Sequence, residues 1–203
     1  MTVVTDICNL ALSHLGDKGS IESIEIPEKQ TEIVCAKWID VSRQTALRQM
    51  MPSFARKREI WPLDAEYVPA FGYEYAYLYK KECLKILGIG NLYEKNNDYA
   101  VEDNHLLTNG MYDTGLPVRY VADVKDPNKY TPDFIDLMSW VLASNICIEL
   151  TENDNKFAQI NQMLPVKIMQ YCGVDAQENK PIRIERSELM RARAGLWPMR
   201  RKA

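Results

Sequence analysis

Between about residues 73 and 124 the spacing of apolar side chains changes, and that change limits what the chain can become. Before it, and again after Pro132, apolar residues recur every three or four positions, the period of a helix. Within it Tyr73, Tyr75, Tyr77 and Tyr79 alternate strictly, the period of a strand. Leu84 to Ile89 reads as a second strand and Val118 to Val124 as another. Tyr99–Glu102 and His105–Thr108 flank Asp103 and Asn104, two residues suited to the positive φ of a tight hairpin turn. The expected fold class is mainly α, of α+β type. It is a helical bundle with a small inserted antiparallel β-sheet over about 73–124 and an extended basic C-terminal arm.

Four helices are expected, over 5–15, 28–51, 133–150 and 154–172 of a domain covering 1–172, with 173–203 as the arm. In the first, Ile7, Leu10, Ala11, His14 and Leu15 share a stripe, with Thr5 or Asp6 as cap and Gly16 as stop. Residues 17–27 read as a linker with a short alternation of Ile21, Ile24 and Ile26. The second helix carries Val34, Trp38, Val41 and Thr45, widened by Ile33, Cys35 and Ala46, and Pro52 closes it. The third is apolar on nearly every side, which demands neighbours on several faces. The fourth aligns Phe157, Ile160, Leu164, Ile168 and Tyr171; Pro165 should kink it and Gly173 should stop it.

A chain of 203 residues, 46% hydrophobic and with net charge −3, has room for one domain or one and a half and enough apolar surface for a core. It has no overall charge that would draw it to nucleic acid or membrane. The longest uncharged apolar run, Leu137 to Ile148, falls short of the roughly 18 residues a spanning helix needs. The N-terminus lacks the basic and apolar regions of a signal peptide. Cys8, Cys35, Cys83, Cys147 and Cys172 are odd in number, widely spread and without metal-ligand spacing. Together these features lead us to expect a soluble, unexported chain with reduced, structural cysteines and no membrane partner.

The charge is unevenly placed. Arg183, Arg186, Arg191, Arg193, Arg200, Arg201 and Lys202, against Glu185 and Glu188, put the last 21 residues at +5 and the remainder at −8. A basic tail on an acidic body suggests docking on something acidic, with Leu196 and Trp197 as apolar anchors; a solvated, frayed terminus is the alternative. A second basic cluster, Arg56, Lys57 and Arg58, follows the aromatic Phe54 and reads either as a phosphate contact or as a solvated face.

Chemistry is sparse. Gly88-Ile89-Gly90 lacks the third glycine of a dinucleotide fingerprint, because Tyr93 stands there. His14 and His105 are the only histidines, and neither has a nucleophile partner in sequence; His14 reads as a satisfied core or edge residue. Carboxylates are plentiful, so a two-carboxylate hydrolase site stays open, but no pair stands out. Asp98, Glu102 and Asp103 lack the loop of an EF-hand and read as a solvated turn. No catalytic residue, cofactor or metal ligand is expected.

An ordered series of segments then stands out. Ile7-Cys8-Asn9-Leu10-Ala11-Leu12-Ser13-His14-Leu15-Gly16 resembles the first helix of the tail tubular protein A family, the head-to-tail adaptors of short-tailed bacteriophages. A long helix and Pro52-Ser53-Phe54-Ala55-Arg56 follow, similar to the family's Phe-Ala-basic turn. Tyr75-Ala76-Tyr77 with Cys83 to Leu87, the hairpin Tyr99 to Thr108, Arg119-Tyr120-Val121 with Asp126-Pro127, and Pro132-Asp133-Phe134 continue the series. The resemblance covers roughly residues 5 to 172, carried by serial order more than by any one motif. Asp103-Asn104 departs from the glycine-containing turn of the family, and nothing after Gly173 matches it.

The resemblance implies a structural virion protein, assembled in the host cytoplasm and not an enzyme. Its copies would form a dodecameric ring that joins the portal to the tail nozzle, lines the DNA channel and touches passing DNA without sequence preference. Arg56, Lys57 and Arg58 are then candidates for the channel or an interface, while it is charge, not the resemblance, that suggests the C-terminal arginines with Leu196 and Trp197 dock on a partner. Two rival classes remain: a tail-associated cell-wall hydrolase using a carboxylate pair, and a small nucleic-acid-binding accessory protein.

Overall fold

The computed structural model describes residues 3–17, 20–90 and 98–178. Among these are four α-helices, α1 (Val3–Leu15), α2 (Gln30–Met50), α3 (Pro132–Thr151) and α4 (Asp154–Glu178). Six strands accompany them: β1 (Arg56–Trp61), β2 (Tyr75–Leu78), β3 (Cys83–Ile89), β4 (Tyr99–Glu102), β5 (His105–Thr108) and β6 (Leu116–Ala122). The fold is α+β, with about 51% of these residues helical and 20% in strands.

Helix α3 is the hub. Its all-round apolar surface is met by α1, α2 and α4, and Phe134, Leu137, Met138, Leu142, Ala143, Ile146 and Cys147 are buried. Pro132 opens it without loss, since the first helical N–H has no partner within the helix. By length and composition α3 is enough to cross a bilayer. The count from Leu137 to Ile148 fell short because it stopped at Asp136, although first-turn carboxylates sit well at a helix N-terminus. The core helix of a soluble protein meets the same length test, and α3 is packed by three helices here.

The helix ends show which local signals held. Gly16 has φ +81°, donates to Ser13 and is followed by Asp17 donating to Leu12, the paired bonds of a Schellman stop. Thr5 is not a cap: α1 already runs at Val3, and Thr5 is buried inside it. At α2, Glu32 accepts the N–H groups of Glu28 and Lys29. The buried stripe of α2 runs through Cys35, Ile39, Ser42, Arg43 and Ala46, which leaves Ile33 and Val41 exposed, contrary to the expected face. Residues 20–27 form no strand; Asn9 instead clamps both backbone groups of buried Ile21.

Helix α4 overrides one expected stop. Pro165 lies within it, and Gly173 does not end it. A glycine in a helix costs only about 1 kcal/mol relative to alanine. Just beyond it, Asp175 accepts from Ser53 and from Arg56 at 2.8 Å, which anchors that last turn.

The β region is larger than expected and is not one sheet. One antiparallel sheet runs β1-β6-β3 and another β2-β5-β4, so sheet structure starts at Arg56 rather than near residue 73. Alternation explains the layering. Val121 of β6, with Leu84 and Leu87 of β3, joins the helical core, while Trp61, Val118, Tyr120, Ala122 and Ile89 face the second sheet and meet Tyr77 and Leu106. The first sheet is therefore a middle layer, with helices on one side and the second sheet on the other. This layering replaces the expected bundle with a satellite insert.

Candidate functional site

The basic triplet that follows Phe54 is a strand, and strand alternation takes it apart. Phe54 anchors its start by packing edge-on against Phe134, ring centroids 5.1 Å apart. Arg56 is held by the Met51 carbonyl and by Asp175. Lys57 points to the opposite face and pairs with Glu82 at 3.1 Å. Arg58 returns to the face of Arg56, where its cross-strand partner is Arg119 of β6. Gly88 of β3 lies opposite Arg119 on the other side. Arg58, Arg119 and Gly88 thus form one row across the sheet, in a groove of about 470 Å³ that also exposes Ile60, Leu87 and Pro117.

On the opposite face the ionisable groups are neutralised in pairs. Tyr120 places its hydroxyl 2.7 Å from Glu82 and 3.0 Å from Glu59, Lys80 binds Glu59, and Lys57 binds Glu82. Two carboxylates flanking a phenol resemble a hydrolase pair in outline. Their electrostatics point elsewhere: Lys80 and Tyr120 hold Glu59 below its ordinary range, and Tyr120 and Lys57 do the same for Glu82. A glycosidase needs one of its two carboxyls raised, to act as general acid near neutral pH.

His14 stacks on Trp140 at 4.0 Å and reaches Ser139 Oγ at 2.9 Å. His105 lies between Asp64 Oδ2, at 3.0 Å, and the Asp103 carbonyl, and stacks on Tyr67. Both histidines are engaged in packing and local hydrogen bonds. No group of three or more His, Cys, Asp or Glu suited to a metal occurs among the described residues. Cys8, Cys35, Cys83 and Cys147 are free and buried, whereas Cys172 is free and exposed.

Helix α4 presents the most distinctive surface. Every exposed residue from Ala158 to Gln177 is uncharged, including Met163, Val166, Met169 and Val174 among glutamines. At 1.5 Å per residue this face is about 30 Å long. Helix α2 offers the contrast, since its outer face intersperses Lys37, Asp40 and Arg48 with Ile33 and Val41. Depletion of charge with enrichment of methionine marks the buried centre of protein interfaces.

Arg183, Arg186, Arg191, Arg193, Leu196, Trp197, Arg200 and Arg201 lie outside the described residues. Sequence reading missed Arg119, because its pairing with Arg58 depends on register between strands 61 residues apart. It missed the face of α4 by following the buried stripe alone; the charge-free complement of that stripe was already present in the sequence. No family model matches this chain, and no curated protein matches it.

Proposed function

We propose that the protein is a structural virion component, a head-to-tail adaptor whose copies close into a ring, most simply a dodecamer, between the portal and the tail nozzle. The observation that carries the proposal is the uncharged outer face of α4. A five-turn helix face without one exposed charge is poorly suited to water and well suited to a protein neighbour. The occupant we assign to it is a second copy of this chain. A contact between this face and a different face of the next copy is heterologous, and such contacts close into rings when the rotation permits.

The serial resemblance over residues 5–172 supports the same reading, and the α+β architecture accommodates it. The helical layer then serves as the ring body, with the inserted β region beside it. The basic segment 181–203 serves as the arm that docks on the acidic surface of the portal or of a neighbour. DNA passing through the ring would meet the protein without sequence preference. The paired, lowered carboxylates Glu59 and Glu82 favour this reading over a cell-wall hydrolase.

Electron microscopy of concentrated protein, alone and with a portal ring, tests the proposal. Rings with a central channel, stacked coaxially on the portal, are the expected result. Deleting residues 181–203 should leave the fold intact and remove portal attachment. Single particles of monomer size under every condition would overturn the proposal.

A further inference from the structure

We propose that the Arg58–Arg119 trough binds a phosphate group carried on an apolar or planar body, the chemistry of a mononucleotide. The trough follows from strand register. Arg58, Arg119 and Gly88 occupy one row of the first sheet. The next row on that face pairs Ile60 with Pro117, and Gly90 donates its N–H to the Pro117 carbonyl. The third column of both rows is therefore glycine. With no side chain on that column, the Arg119 guanidinium lies near Gly88, and the groove that it lines with Arg58, of about 470 Å³, suits a small ligand.

The two arginines carry the charge argument. Like charges directly opposite on neighbouring strands destabilise a sheet. Among the described residues neither Arg58 nor Arg119 has an ion-pair partner, in contrast to Arg56 and Lys57. Glu59, the nearest acid in sequence, points to the other face, where Lys80 and Tyr120 hold it. An arginine pair at the edge of a groove, with no acid paired to it among the described residues, is a site for an anion.

Phosphate fits better than a single carboxylate. Each guanidinium is a planar fork of five donors that matches phosphate oxygens two at a time. A phosphate monoester near neutral pH brings close to two negative charges for two cations. Ile60, Leu87 and Pro117 then give an apolar floor for the rest of the ligand, and Ile60 is 58% exposed. The glycines act here by clearing space. The charge comes from the arginine side chains. This inference is independent of ring assembly.

Calorimetric titration of the full chain with AMP at low salt tests it, with adenosine and inorganic phosphate as comparison ligands. AMP should bind, with adenosine and inorganic phosphate each at least about tenfold weaker, the loss of roughly one charged contact or of the apolar floor. Arg58→Glu should weaken AMP at least about tenfold while raising the melting temperature by about 1–3 °C, because a Glu–Arg pair replaces two opposed arginines. Gly88→Glu is a second probe. A Cβ there meets only the Arg119 guanidinium, at 3.9 Å, so the fold tolerates the change while a carboxylate occupies the trough. AMP affinity unchanged in both variants would overturn the site. So would inorganic phosphate binding as tightly as AMP, no AMP binding at millimolar concentration, or binding of a single-stranded oligonucleotide without AMP.

Discussion

Arg43 is a charge held inside the protein. It is 7% exposed and donates to both oxygens of Asp123, at 3.1 and 3.3 Å, with Asp40 completing its surroundings. The pair ties α2 to the segment after β6. Asp123→Ala removes two charged hydrogen bonds and leaves Arg43 with Asp40 alone, so it should cost about 1.5–3 kcal/mol in chemical denaturation. His14 gives a pH-dependent counterpart. Burial lowers its pKa, with Asp136 and Lys167 acting in opposite directions. A depressed folded pKa means the neutral ring's contribution is complete above the unfolded value near 6.5 and is lost as pH falls below it. The melting temperature should therefore drop between about pH 7 and 5, and His14→Phe, which keeps the stack on Trp140, should flatten that slope. At this scale the sequence was readable where a residue's place on its own apolar stripe decides its role, even with partners on another element. His14 read as a satisfied histidine on its stripe, whereas the separate fates of Arg56, Lys57 and Arg58 depend on Asp175, Glu82 and Arg119, all distant in the chain.

Elements were legible in proportion to their contrast. Helix α3 is apolar all round, and the hairpin β4–β5 turns at Asp103 and Asn104 with φ of 42° and 58°, as their types suggest. Strand β1 was hidden because it is an edge strand with charged residues on both faces, so alternation changes nothing visible along Arg-Lys-Arg-Glu. Such charge protects an open edge from pairing with another chain. Gly173 misled in the opposite sense: as a local signal it permits a stop, but the Asp175 anchor continues α4. The approach to β6 shows where glycine is required. Gly115 has φ +98°, and a Cβ there would lie 2.7 Å from both the Trp61 carbonyl oxygen and Ile60 Cγ2. Gly115→Ala should destabilise the protein by about 2–3 kcal/mol, because strain and overlap fall on the same residue. Thermal denaturation measures this, and an unchanged melting temperature would show that β1 and β6 can separate at that end without cost.

For the whole molecule, the layering divides labour. The first sheet is fixed between the helical core and the second sheet, and α4 closes the helical side with an outer surface that shows no charge from Ala158 to Gln177. Cys172 lies on α4 as an exposed thiol, while the other four cysteines are buried, so alkylation reads that helix selectively. Modification at Cys172 should be fast in dilute protein and slow once copies associate. Light scattering of the wild type beside Val166→Glu tests whether this face holds neighbouring copies together. Val166 is 45% exposed and makes no core contact that the substitution would remove, so the fold should persist. If this face does hold copies together, concentrated wild-type protein should approach the mass of a closed ring, twelve times the 23.4 kDa subunit, and Val166→Glu should stay monomeric with an unchanged melting temperature. A wild type that remains monomeric at every concentration, or a variant that assembles as the wild type does, would contradict it.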